Sequence, residues 1–162
     1  MHILKKLGIN EIIIVGGYKI EMIRQFNEDK KLGLKVAYNP TATSVSRGWA
    51  AYLDTVKVGL RGLDDDVLLI FGDVLLTEEA VRRVIEHPKG CISVFSYGYQ
   101  MYKIPRELLP KLRKLEDGND EFGPMHTLND FCIVNNGIKM CIKDSASMHD
   151  VDRYNQTDEG KK

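Results

Sequence analysis

Apolar positions along this chain alternate between short continuous runs and stripes at helical spacing. Glu11 to Val15 reads as a short buried strand, and Gly16-Gly17 turns it into a helix carrying Ile20, Ile23 and Phe26 on one stripe. Leu34 to Tyr38 is the next expected strand. Asn39-Pro40 closes it, because a proline disfavours helix at the residue before it. A polar loop, Thr41 to Gly48, follows, and beyond it Trp49, Leu53, Val56 and Leu60 recur at helical spacing. Val67-Leu68-Leu69-Ile70-Phe71 then runs unbroken into Gly72-Asp73. That pattern describes a strand buried on both faces with one carboxylate at its carboxyl end.

The remaining pattern continues the alternation. Thr77 suits an N-cap, with Glu78 and Glu79 in the first turn and Leu76 and Val81 placed as a hydrophobic staple, and Pro88 should stop that helix. Cys91 to Phe95 and Tyr99 to Ile104 read as strands. Leu108, Leu109, Leu112 and Leu115 are helical but are interrupted by Pro110, so a kink or two short helices are expected. Residues 117–124 are loop in composition. Leu128 to Val134 fits helix or strand equally, Asn135-Asn136-Gly137 ends it, and Ile138 to Ile142 is a further strand. At the start, Ile3, Leu4 and Leu7 share a helical face and Gly8 stands where a C-cap glycine belongs. This order predicts a three-layer α/β/α sandwich, Rossmann-like, around a mostly parallel but mixed sheet. It is expected as one domain over 1–155, with a polar tail over 156–162.

Composition narrows the function classes. The 162 residues suffice for about one domain with a sizeable core. Lys plus Arg and Asp plus Glu number 23 each, so no global field draws in nucleic acid or an anionic membrane surface. Neither a signal peptide nor a membrane span fits the sequence, whose start is charged and interrupted. Cys91, Cys132 and Cys141 are odd in number and widely spaced, which argues against a disulfide framework and for a reducing, cytoplasmic setting. The four scattered histidines show no zinc-ligand spacing.

Two acidic features carry candidate chemistry. Asp73 follows a strand, at the sheet edge where open α/β domains bind ligands. His149-Asp150-Val151-Asp152 lies past the last expected strand. If Asp152 shares an edge with Asp73, two carboxylates and a substrate phosphate meet the oxygen-rich, partly hydrated shell that Mg²⁺ takes. Asp64-Asp65-Asp66, by contrast, reads as a solvated turn.

The ordered segments Leu7-Gly8-Ile9-Asn10-Glu11-Ile12-Ile13-Ile14-Val15, Tyr38-Asn39-Pro40, Ile70-Phe71-Gly72-Asp73-Val74 and Asp150-Val151-Asp152 resemble the nucleotidyltransferase superfamily. That group includes sugar-phosphate nucleotidylyltransferases, MobA-like enzymes and bacterial choline-phosphate cytidylyltransferases. The resemblance implies that Asp73 and Asp152 bind Mg²⁺, and that the loop from Asn39 to Gly48 lines the nucleotide and acceptor pocket, with Asn39, Ser46 and Arg47 contacting substrate. It implies transfer of a nucleoside monophosphate from a nucleoside triphosphate to a small phosphorylated acceptor, such as a sugar phosphate or phosphocholine, with release of pyrophosphate. Trp49 is expected in the core, since it falls on the apolar helical stripe.

The sequence also departs from that family. Its first strand and its glycine-rich phosphate loop with Arg and Lys have no counterpart after Met1. Met148 stands at the usual Trp, and Arg153-Tyr154-Asn155 replaces a Thr-Pro-Glu continuation. Weakened transfer and marginal folding as a monomer are the corresponding expectations, the latter because a sheet edge would lack its neighbour, and self-association is left open. Two alternatives stay beside the enzyme reading. One is a non-catalytic nucleotide-sensing or partner-binding module on the same fold. The other is a flavodoxin-like signalling domain with Asp73 as acceptor, for which the Gly16-Gly17 turn supplies no acid pair.

Overall fold

A computed structural model of the chain describes residues 1–42, 50–72, 74–75, 77–88, 90–96, 99–116, 124–140 and 146–147. In chain order the elements are α1 (His2–Lys6), β1 (Ile13–Gly16), α2 (Ile20–Asp29), β2 (Lys35–Tyr38), α3 (Ala50–Gly59), β3 (Val67–Ile70), β4 (Val74–Leu75), α4 (Glu78–Ile85), β5 (Ile92–Ser96), β6 (Tyr99–Ile104), α5 (Leu109–Arg113), α6 (Pro124–Val134), β7 (Ile138–Met140) and β8 (Ala146–Ser147). The architecture is mixed α/β. It comprises two compact units, one formed by Gly8–Asp64 and Glu107–Thr127, the other by Met1–Leu7, Asp65–Arg106 and Leu128–Lys162.

In the first unit, β1 and β2 pair in parallel, from Ile13 opposite Lys35 to Gly16 opposite Tyr38. Parallel neighbours need a crossover, and α2 supplies it. Its end is closed by two backbone hydrogen bonds, Lys31 N–H to the Glu28 carbonyl and Leu32 N–H to the Asn27 carbonyl, each 3.0 Å. Lys31 takes the left-handed conformation at φ 50° that this closing motif demands. The Asn27 amide then clasps Leu34, accepting from its N–H at 2.9 Å and donating to its carbonyl at 3.1 Å. The predicted stripe on α2 is only partly inward. Ile20 is buried and Ile23 half-buried, but Phe26 is 54% exposed, because α2 covers only the narrow two-stranded pair β1–β2.

Helix α3 packs on β1 through its small residue. A Cβ at Gly59 would stand 3.0 Å from Val15 Cγ2, so the helix approaches as closely as a bare backbone allows. Leu53 and Leu60 are fully buried. The carbonyls just past α3 are taken by Arg113 on α5, whose guanidinium donates to the Leu60 carbonyl at 3.1 Å and to the Leu63 carbonyl. Helix ends leave such carbonyls unpaired, and a cation there also opposes the helix dipole. Pro110 does split its segment in two, a 3-10 turn over Arg106–Leu108 followed by α5 with the proline in its first turn.

In the second unit the sheet order is β3-β6-β5-β7. Strand β6 runs antiparallel to both β3 and β5, whereas β5 and β7 are parallel. A further antiparallel pair joins β4 to β8. Among the described residues two of the five ladders are parallel, a smaller share than the alternating pattern suggested. The reason is local: Ser96 opposes Tyr99 with two residues between them, and so short a link can join only antiparallel strands. Ala80, Val81 and Val84 of α4 and Met101 of β6 form a core cluster, against which Leu68, Ile70, Ile138, the α1 residues Ile3 and Leu4, and Leu7 just after them pack. Thr77 caps α4 as expected, its hydroxyl accepting from the Ala80 N–H at 3.2 Å, a contact worth about 1 kcal/mol. Lys103 holds the other end, donating to the Ile85 and His87 carbonyls at 2.8 and 3.0 Å.

The ambiguous segment before Asn135 is helix. It closes like α2, with Asn136 left-handed at φ 61° and Asn136 N–H bonded to the Ile133 carbonyl at 3.1 Å. Gly137 N–H completes the motif by donating to the Cys132 carbonyl at 2.7 Å.

Candidate functional site

The carboxyl ends of parallel strands are where open α/β sheets hold ligands, because loops of both connections gather there. In β1 and β2 that edge consists of Gly16 and Tyr38, in register, followed by Gly17 and Asn39. Asn39 is the organising residue. It is only 2% exposed, and its N–H donates to the Gly16 carbonyl at 2.8 Å, extending the ladder by one bond. Its amide Nδ2 donates to the Thr55 hydroxyl of α3 at 2.8 Å. Its Oδ1 accepts from the Thr41 N–H at 3.0 Å and the Thr41 hydroxyl at 2.8 Å. The Thr41 hydroxyl also lies 3.3 Å from an Asp54 carboxylate oxygen.

This arrangement follows from the local sequence. Pro40 keeps Asn39 extended, and an Asn whose side chain accepts from the backbone two residues on makes a side-chain-closed turn. The turn carries the chain off β2, and the Thr55 bond ties its base to α3. Around it the surface is aromatic. Tyr38 is 52% and Tyr18 72% exposed, with the Lys19 ammonium 5.2 Å from the Tyr18 ring centre. Asn39 therefore acts from inside the loop base, holding residues 40–42, with its side-chain bonds made to Thr41 and Thr55.

Of the five residues singled out by sequence, Asn39 is the one within the described residues. Ser46, Arg47, Asp73 and Asp152 lie outside them, as does Trp49. Gly72, immediately before Asp73, is exposed just past β3, and the neighbouring Phe71 ring meets Tyr102 edge-on at 6.4 Å and 64°. In the acidic run, Asp66 accepts from the Arg106 N–H at 3.0 Å, so it serves as a backbone cap in addition to solvating a turn. Thr41, Asp54 and Thr55 went unremarked in the sequence. The available signal was Thr two residues after the Asn of Asn-Pro, the spacing of a side-chain-closed turn. Among the described residues no group of three or more His, Cys, Asp or Glu side chains is placed to hold a metal ion. Among them, too, no helix is long and apolar enough to cross a membrane.

Replacing Asn39 by Ala will lower stability by about 2 kcal/mol, since buried partners lose their hydrogen bonds and nothing replaces them. Asn39→Asp, which keeps the acceptor and loses the donor to Thr55, should fall between. Urea unfolding of the two variants checks this, and equal midpoints for wild type and Asn39→Ala would contradict the assigned role.

The described residues thus show mixed α/β architecture with a polar turn at the carboxyl edge of a parallel strand pair. Residues 1–99 match the family model described as Domain of unknown function (DUF6564), and the chain belongs to that family. It is also 26% identical over 91 residues to the D-glycero-alpha-D-manno-heptose 1-phosphate guanylyltransferase of Campylobacter jejuni subsp. jejuni serotype O:2, covering 56% of this chain and 39% of that protein. A CMP-5'-(3-aminopropyl)phosphonate synthase from Streptomyces rubellomurinus is 27% identical over 86 residues, or 52% of this chain and 13% of that protein. The chain thus matches well under half the length of either relative. Both relatives point to a nucleotidyltransferase-like relationship.

Proposed function

We propose that this chain is the nucleotide-handling part of an Mg²⁺-dependent nucleotidyltransferase, moving a nucleoside monophosphate from a nucleoside triphosphate to a small phosphorylated acceptor with release of pyrophosphate. What carries the reading is that two relatives, one named for guanylyl transfer to a sugar 1-phosphate and one for making a CMP-linked phosphonate, each align with about half of this chain. Two such names share nucleotide attachment to a phosphorus-bearing acceptor and differ in base. On this reading residues 1–155 form one cytoplasmic three-layer α/β/α domain.

The donor chemistry fits the metal. Asp73 and Asp152 offer hard carboxylate oxygens, and neither imidazole nor thiolate need take part. When bound, Mg²⁺ supplies neutralisation of triphosphate charge. The protein's own share is positioning: Asn39 holds the turn at residues 40–42 through Thr41 and Thr55, and on this reading Ser46 and Arg47 line the nucleotide and acceptor pocket. In-line phosphoryl displacements depend on such placement and charge more than on covalent chemistry.

The test is pyrophosphate release by the full chain with Mg²⁺, GTP or CTP, and a panel of sugar phosphates and phosphonates. Release should require both an acceptor and the metal. A folded sample that releases no pyrophosphate and, by calorimetry, binds neither nucleotide would overturn the proposal.

A further inference from the structure

Two of the three cysteines, 41 positions apart in sequence, meet in the second unit: Cys91 Sγ and Cys132 Sγ lie 2.8 Å from each other. Cys91 stands just before β5 and Cys132 in the last turns of α6. Their backbones are anchored to consecutive residues. Gly137 N–H donates to the Cys132 carbonyl at 2.7 Å and Ile138 N–H to the Cys91 carbonyl at 3.1 Å. Consecutive Cα atoms are about 3.8 Å apart, so these bonds hold the two cysteine backbones within a disulfide's reach of each other. Both thiols are buried, Cys91 at 3% exposure and Cys132 fully.

We propose that Cys91 and Cys132 are an oxidation site, a paired dithiol that hydrogen peroxide converts to an intrachain disulfide joining the start of β5 to the end of α6. The hydrogen bond between the two thiols lowers the Cys91 thiol below its usual range, and that same bond followed by burial raises Cys132. Cys91, which also retains slight exposure, is therefore the attacking sulfur. Its thiolate displaces hydroxide from the peroxide and becomes a sulfenic acid. Cys132 then attacks that sulfur, the S–S bond forms, and the thiol proton leaves with the sulfenic hydroxyl as water. Two thiols and one peroxide give one disulfide and two waters, with two electrons passing from sulfur to oxygen. The Gly137 and Ile138 anchors hold the two sulfurs in contact.

The test treats the folded full chain with hydrogen peroxide and measures its intact mass and proteolytic peptides. Expected are a loss of two hydrogens per chain, a linked peptide pair containing Cys91 and Cys132, reversal by dithiothreitol, and a raised unfolding midpoint in the oxidised form. Cys141→Ser should retain the link, and Cys132→Ser should lose it. Oxygen addition without a link in the folded wild type, or a link through Cys141, would overturn the proposal. Because the peptide map is read on the wild type, the conclusion survives a variant that fails to fold.

Discussion

Gly137→Ala will destabilise the protein by about 3 kcal/mol, toward the upper end of what overpacking costs. A Cβ at this position would stand 2.5 Å from the Cys132 carbonyl oxygen, 2.7 Å from the Cys91 carbonyl oxygen and 2.9 Å from the Cys132 carbonyl carbon. All three are backbone atoms, so no side chain can swing aside. Relief requires moving one carbonyl off the Gly137 N–H and the other off the Ile138 N–H, which removes the C-terminal closure of α6 and strains the β5–β7 ladder at Ile92 opposite Ile138. Urea unfolding should show a lower midpoint at nearly unchanged slope. Gly72→Ala serves as the control: a Cβ there meets nothing within 4 Å, so its midpoint should stay at wild type. A Gly137→Ala midpoint equal to that of Gly72→Ala would mean the crowding is absent in solution.

Asp73→Ala will lower acceptor-dependent pyrophosphate release by on the order of a hundredfold or more, because removing a metal-holding carboxylate forfeits several kcal/mol of charge stabilisation and each 1.36 kcal/mol is tenfold in rate. Asp152→Ala should behave alike, and the double variant should be little worse than either, since both acids would act on one ion. Asp66→Ala separates this role from a general acidic contribution. Asp66 caps the Arg106 N–H, so its loss should cost stability and leave the rate per folded molecule unchanged. Equal release from wild type and Asp73→Ala would remove Asp73 from the site while leaving nucleotide transfer itself to the wild-type assay.

Much of the fold was legible residue by residue. The strands at Glu11 to Val15, Leu34 to Tyr38, Cys91 to Phe95 and Tyr99 to Ile104 appear within one or two residues of their expected bounds, as do the Thr77 cap and the Pro110 division. Periodicity, caps and proline act over a few residues, and that range is what a sequence pattern encodes. The candidate site was legible as residue types. Asn39 was singled out as a substrate contact by the family resemblance, and its burial against Thr55 depends on α3, sixteen residues away. No local pattern carries such a partner.

Gly137 shows the same division. Asn135-Asn136-Gly137 announced the end of a segment that fitted helix or strand, but the left-handed residue is Asn136, and the glycine is required because the Cys91 and Cys132 carbonyls press on it. The odd cysteine count argued against a disulfide framework, and nothing in the spacing paired Cys91 with Cys132. By itself, then, the sequence determined where strands and helices begin, where they stop and which residue types stand at their ends. The tertiary structure decided which strands pair, that β6 lies between β3 and β5, and which distant groups touch. Hydrophobic period and turn chemistry act locally, whereas ladder partners, buried amides and facing thiols depend on segments brought together only when the chain closes on its core.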